Sequence, residues 1–407
     1  MNKKSEIRTG VRTKWLTADK HVLRQWHIKF HEEIINNEEE ILEHPVIAEF
    51  RNMINSDPVV RMYLTEMIEQ IPKDPKYDEH RLQNIDHMLR LLNCVLTKAP
   101  DYNDTLLVGT PFSAILIWTM GTRAGFAAYR NEKINAMLKK LLDVWCLFLN
   151  SRNSLYVLND SPEGWMCEAA QRQLHIEDYH YQPNEKHWGF KSWNDFFTRK
   201  LKKGVRPIAE PENNKVIVGA CDSTIYKISK NIKRYSKFWI KSQPYSLSDM
   251  LDNKYIDKFI DGTVFQAFLS PFKYHRWHSP VSGKIVKAYV KEGLYFSQAD
   301  SEREDPTDQD ASEGYLVHVQ TRAIFFIDCD DPGIGLVCVM PTGMVEISSC
   351  IIDSKMKAGY HVDKGEELGY FQFGGSTHCI IFQKGVIKNF TQLEGDIKVG
   401  QKIAEAF

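Results

Sequence analysis

The chain has no Cys-x-x-Cys pair, no apolar run long enough to span a bilayer and no excess of charge of either sign. Each absence excludes something. The eight cysteines, at 94, 146, 167, 221, 329, 338, 350 and 379, are scattered through 407 residues. That spacing suits reduced, buried thiols in a cytoplasmic location and suggests neither a disulfide framework nor a zinc or other metal site. The longest uncharged stretch, residues 105–122, is interrupted by Gly109, Pro111 and Gly121. It is too short and too polar to cross a membrane, and a buried helix starting at Pro111 is expected instead. Lys3, Lys4, Arg8, Arg12 and Lys14 follow Met1 with no apolar stretch between them, so no secretory signal is expected. A net charge of −1 gives no ground for a nucleic-acid partner.

A composition of 43% hydrophobic and 26% charged residues describes a soluble globular protein. Its length exceeds the usual size of one core, so two domains are expected. From Thr17 to Ser151 the pattern is helical. In Glu132–Leu149, the residues Ile134, Met137, Leu138, Leu141, Trp145 and Phe148 recur at three- and four-residue spacing and form one apolar stripe. Asp57 before Pro58 predicts an N-cap with proline at the first helical position, and Ser192 is a second candidate N-cap. After Pro207 the signal turns to strands, with an apolar run over residues 215–220 and alternation over residues 224–228. Two segments, one beginning at Pro280 and one at Met344, each place a strand before a glycine-containing turn, the look of a barrel-sandwich built from two similar halves. The fold class expected is therefore α+β, with a helical N-terminal domain (residues 1–155) followed by a β-rich, barrel-sandwich-like catalytic domain (residues 156–407).

Three stretches between these elements have more than one reading. Eleven aromatic or histidine residues from Trp165 to Phe197 either pack domains together or wall a ligand pocket. The basic residues Arg199, Lys200, Lys202, Lys203 and Arg206, with those from Lys227 to Lys241, form either a solvated face or a surface for anionic lipid. Residues 300–314 hold seven acids against one arginine. They lack the ligand order of a calcium loop and read as a solvated loop, one that could cover a site.

Chemistry concentrates near the C-terminal end. Gly374-Gly375-Ser376-Thr377 lies between strand-like Leu368–Phe371 and Cys379–Phe382. Two residues without a Cβ leave a bare backbone beside one hydroxyl, which makes Ser376 a candidate self-processing residue. About a hundred residues upstream, Tyr274-His275-Arg276-Trp277-His278 places two histidines three apart, and Asp222 lies further upstream still. Hydroxyl, imidazole and orienting carboxylate are the parts of an activated nucleophile.

These islands, together with Phe196–Leu201 leading to Arg206-Pro207-Ile208 and with Lys364–Phe371 before the glycines, resemble the phosphatidylserine decarboxylase family in kind and order. The stretches Ser56–Val60, Thr122–Phe126 and Asp143–Leu149 resemble its soluble, L-tryptophan decarboxylase-like branch. The resemblance implies a zymogen that makes its own cofactor. Ser376 matches the processing serine, His278 the second histidine of the Tyr-His-Arg-x-His motif and its base, and Asp222 the upstream aspartate that orients that base. His275 matches the histidine that contacts substrate. The sequence departs from the family around Asp222, where Cys221 and Ser223 replace the usual proline and glycine neighbourhood.

The resemblance further implies cleavage between Gly375 and Ser376. Ser376 would become a covalent pyruvoyl group, and the long and short chains would stay associated. The mature enzyme would form a Schiff base with a small amino-acid substrate, tryptophan first, and remove its α-carboxylate. Two alternatives stay open: a phosphatidylserine decarboxylase forming phosphatidylethanolamine at a membrane surface, and a processing-dead homologue acting as a binding protein.

Overall fold

The computed structural model describes residues 28, 30, 42–71, 82–103, 110–236, 245–270, 272–298, 312–344, 346, 349–374 and 376–407. Its N-terminal part is a set of capped helices: α1 (Pro45–Ser56), α2 (Pro58–Glu69), α3 (Ile85–Val95), α4 (Pro111–Met120), α5 (Arg123–Ala128), α6 (Glu132–Leu149), α7 (Glu168–Leu174) and α8 (Trp193–Phe197). The predicted caps form. Asp57 accepts hydrogen bonds from Val59 N at 2.9 Å and Val60 N at 3.2 Å, and Ser192 accepts one from Asp195 N at 3.1 Å. α6 has the predicted limits and buries Ile134, Met137, Leu138, Leu141 and Trp145, with Phe148 half-buried. α4 starts at Pro111 and is buried almost throughout. Among the described residues no helix is long and apolar enough to cross a membrane.

Among the described residues, the remainder of the chain is built from fourteen strands and three short helices, α9 (Leu247–Met250), α10 (Ile256–Phe259) and α11 (Glu313–Val319). In order the strands are β1 (Val216–Val218), β2 (Ser223–Lys230), β3 (Thr263–Leu269), β4 (Arg276–His278), β5 (Gly283–Lys291), β6 (Arg322–Cys329), β7 (Leu336–Gly343), β8 (Cys350–Ile352), β9 (His361–Val362), β10 (Glu367–Phe371), β11 (Ser376–Phe382), β12 (Ile387–Phe390), β13 (Asp396–Ile397) and β14 (Lys402–Ala406). They form an eight-stranded sheet in the order β13-β2-β3-β11-β7-β6-β5-β9 and two three-stranded sheets, β4-β10-β8 and β1-β14-β12. The α+β class and the sandwich-like layering are as expected. No barrel closes among the described residues, because the large sheet ends in β13 and β9.

β11 lies inside the large sheet, paired with β3 on one side and β7 on the other. Side chains alternate across a strand, so Ile380 and Phe382 enter one core with Trp277, Leu368 and Phe371 of the β4-β10-β8 sheet. Cys379 and Ile381 enter the opposite core with Val264 and Met340. Ser376 therefore starts β11 on the face turned toward the small sheet.

The helices and the sheets share a core. Trp165, Trp193 and Phe196 pack with Phe272, and Phe373 of the β10–β11 link meets Trp145 at 4.8 Å, Phe197 at 5.2 Å and Trp193 at 5.8 Å between ring centroids. This part of the aromatic run is packing. The basic cluster divides: Arg199 and Arg206 turn inward, because each finds buried acceptors, so neither belongs to a charged face. Residues 299–311, most of the acidic stretch, and residues 237–244 lie outside the described residues. All eight cysteines are free. The strand expected from Met344 is not found at its described residues: β7 ends at Gly343, Met344 lies outside it and Glu346 has φ +57°, while residues 345, 347 and 348 lie outside the described residues.

Candidate active site

The β10–β11 link carries the serine. Gly374 has φ +131°, a conformation side chains resist, and Ser376 follows as the first residue of β11. Gly375, the predicted cleavage position, lies outside the described residues. Ser376 is fully buried and its Oγ has no hydrogen-bond partner among the described residues. A buried hydroxyl without a partner is unusual in a folded chain, and it leaves the oxygen available to react.

His278 lies on β4, across from Glu367 of β10. Its Nδ1 is 2.8 Å from the Gly365 carbonyl, and its Nε2 is 2.9 Å from the Tyr274 hydroxyl. A carbonyl only accepts, so Nδ1 carries the proton and Nε2 holds the lone pair, toward which Tyr274 donates. Burial pushes the His278 pKa down, offset in part by Gly365. The imidazole is thus neutral, with a basic nitrogen, near pH 7.

Asp222 does not hold that ring. Its carboxylate accepts from Arg206 Nη2 at 2.7 Å, from Arg206 Nε at 3.1 Å and from Val399 N at 2.8 Å. Arg206 reaches on to Asp178 at 2.8 Å. The orienting hydrogen bond expected from Asp222 is therefore made by the Gly365 carbonyl, because the guanidinium fork and one amide already occupy the carboxylate. The chain still brings Asp222 close in, since His278 N donates to the Ala220 carbonyl at 2.8 Å.

His275 is fully buried and stacks on Phe197, with ring centroids 3.9 Å apart and planes 22° apart. Among the described residues neither ring nitrogen has a partner of ordinary geometry. Burial, then the Arg199 charge, pushes its pKa well down, and the Ser270 backbone offsets this only in part. Through Phe197 the histidine touches the cluster around Phe373. On the outer side of the same motif, a cleft of about 430 Å³ is lined by His180, Tyr181, Trp188, Phe190, Lys200 and Arg276. It is the part of the aromatic run that faces open space. Among the described residues no group of three or more potential ligands could hold a metal ion.

Sequence reading passed over four participants. Tyr274 and Arg206 stood inside quoted motifs, but their partners are set by contacts 4 and 16 residues away. His378 shares the Ser376 face of β11, and burial pushes its pKa down to about 4. Glu346, alone among apolar neighbours, is fully buried. An acid in such a run is the one signal that could have flagged it.

Two family models match the chain, both described as phosphatidylserine decarboxylase, over residues 44–174 and 193–405. An L-tryptophan decarboxylase of Psilocybe cubensis is 34% identical over 388 residues, which is 88% of this chain and 85% of that protein. Decarboxylase iboD of Amanita muscaria is 34% identical, covering 72% of this chain and 89% of that protein. Phosphatidylserine decarboxylase proenzyme 3 of Schizosaccharomyces pombe is 31% identical over 53% of this chain and 22% of that protein.

Proposed function

Because this chain belongs to the phosphatidylserine decarboxylase family and is a carboxy-lyase, we propose that it is a pyruvoyl-dependent decarboxylase of free aromatic L-amino acids, tryptophan first. We assign residues 1–155 to a helical domain and residues 156–407 to the catalytic domain. The observation that carries the substrate is the extent of similarity. The tryptophan decarboxylase aligns with 88% of the chain, helical part included, whereas the phosphatidylserine decarboxylase proenzyme of S. pombe aligns with 53%.

The residues around Ser376 fit the formation of the cofactor: a buried, unpartnered hydroxyl stands beside a glycine-bearing link. In this reading Ser376 Oγ attacks the Gly375 carbonyl, and His278 Nε2 takes its proton, directly or through Tyr274. A base so placed is worth about 10²–10⁴-fold. Asp222 and Arg206 anchor the floor of the histidine strand. Once formed, the pyruvoyl group supplies an electron sink for the electrons that carbon dioxide leaves behind. His275, neutral and packed on Phe197, contacts the substrate and moves a proton at its Cα.

Cleavage would give residues 1–375 and 376–407. The short chain contributes β11, held between β3 and β7 along its length, so the two stay associated. The test is product analysis: purified protein with L-tryptophan, other aromatic amino acids and phosphatidylserine vesicles, each amine identified by mass. Tryptamine without phosphatidylethanolamine is expected. Phosphatidylethanolamine would overturn the substrate, and an active but uncleaved chain would overturn the pyruvoyl mechanism.

A further inference from the structure

Two links cross between the large sheet and the β4-β10-β8 sheet, and they run side by side. One joins β10 to β11 and contains the proposed cleavage point; the other joins β7 to β8. Their ends are tied at both sheets. Ser376 lies across from Gly343, and Phe371 across from Cys350. Near the second end, Ser349 Oγ donates to Gln372 Oε1 at 2.6 Å and Gln372 N donates to the Ser349 carbonyl at 3.3 Å. Glu346 is the third residue after Gly343, the residue that pairs with Ser376. Ser113 N donates to Glu346 Oε1, and Phe112, Trp145 and Phe373 pack edge to face in sequence, with ring centroids 5.1 and 4.8 Å apart.

Glu346 fits no packing role. It is fully buried, has a left-handed backbone rare outside glycine, and its second oxygen, Oε2, has no hydrogen-bond partner among the described residues. An unpaired buried carboxylate is costly, and strain of this kind collects at functional sites. Burial pushes the pKa of the carboxyl well above the ordinary range and so favours its acid form, against the pull of the Ser113 and Phe112 amides.

We propose that Glu346 is a second processing residue, acting first as acid and then as base at residue 376. The inference rests on the self-cleavage reading above. When Ser376 Oγ adds to the Gly375 carbonyl and the C–N bond breaks, the Glu346 carboxyl gives its proton to the departing nitrogen of residue 376. An ester and a free amine result, with the hydroxyl proton on the histidine base. The Glu346 carboxylate then takes the Cα proton of residue 376 as the ester C–O bond breaks. The Gly375 carboxylate departs, and Glu346 regains its acid form.

The test follows chain splitting by intact mass, which needs no turnover of substrate. Cleavage of Glu346→Gln should be at least 10²-fold slower than that of the parent. Glu346→Asp, which keeps the acid, should split at least tenfold faster than Glu346→Asn, which matches it in size. This second pair decides the matter if the Gln variant does not fold. Wild-type rates in Glu346→Gln, or equal rates in the Asp and Asn variants, would overturn the role of Glu346 and leave the self-cleavage reading intact. A parent chain that never splits would overturn that reading instead.

Discussion

Mild acid should loosen this protein through two buried histidines. Burial lowers the pKa of both His318 and His378 from 6.5 to about 4. His318, on α11, accepts from Ser246 N at 3.0 Å and faces the Tyr315 carbonyl at 3.3 Å, with Asp249 and Arg322 as the charges nearby. His378 sits in β11 between Phe265 and the small sheet. A group whose folded pKa lies below its unfolded value takes up protons on unfolding. The neutral imidazole's contribution is therefore fully present above pH 6.5 and is lost as pH falls toward 4. At about 1.4 kcal/mol per unit, moving to pH 5 costs about 2 kcal/mol for each ring and about 4 kcal/mol for both. His275 and His278 are shifted in the same direction and add to the effect. The assay is urea unfolding of the uncleaved Ser376→Ala chain at pH 7 and pH 5. His318→Gln, whose amide oxygen can still accept from Ser246 N, should remove about half of the loss assigned to the two rings. Glu346, whose carboxyl pKa is shifted upward by burial, works in the opposite sense and is common to both chains, so the comparison decides: the same change between pH 7 and pH 5 in His318→Gln as in its parent would refute the reasoning.

Other perturbations separate the parts of the site. Ser376→Ala should leave one chain of 407 residues, and splitting at 375/376 in that variant, seen by intact mass, would end the proposed mechanism. Arg206→Met strips the guanidinium from the buried Asp222 carboxylate and leaves Val399 N as its remaining donor among the described residues. It should cost about 3 kcal/mol in denaturant unfolding, and a loss under about 1 kcal/mol would show the pair to be solvated. Phe373→Ala empties a site bounded by Trp145, Trp193 and Phe197. A loss of about 3–5 kcal/mol is expected from urea unfolding. His275→Ala should still split into two chains while decarboxylation falls about 10²–10⁴-fold; failure to split would move His275 into processing.

The helices could be read from the chain because their signals are local. Asp57 and Pro58 start α2 through atoms within three residues, and the stripe in α6 needs only the 3.6-residue period. β11 is legible for the same reason over Cys379–Phe382, whereas its start at Ser376 is set by pairing with β3 and β7. The inventory of Ser376, His278, Asp222 and His275 could likewise be named, because each stands in a motif that is contiguous in sequence. Which of them touch could not.

Contacts depend on register between elements that the chain order leaves undetermined. The Gly365 carbonyl reaches His278 across 87 residues, and Glu346 reaches α4 across 233. Arg206 was grouped with surface cations, since charge in a sequence gives no depth; burial beside Asp178 and Asp222 made it an anchor. By itself the sequence determined the main element types, the candidate inventory and the serine after two glycines, all of which rest on neighbouring residues. Only the tertiary structure decided that Gly365 orients His278, that Asp222 belongs to Arg206, and that Glu346 is buried against the start of α4. Each of these follows from strand pairing and shared burial, and neither acts through chain neighbours.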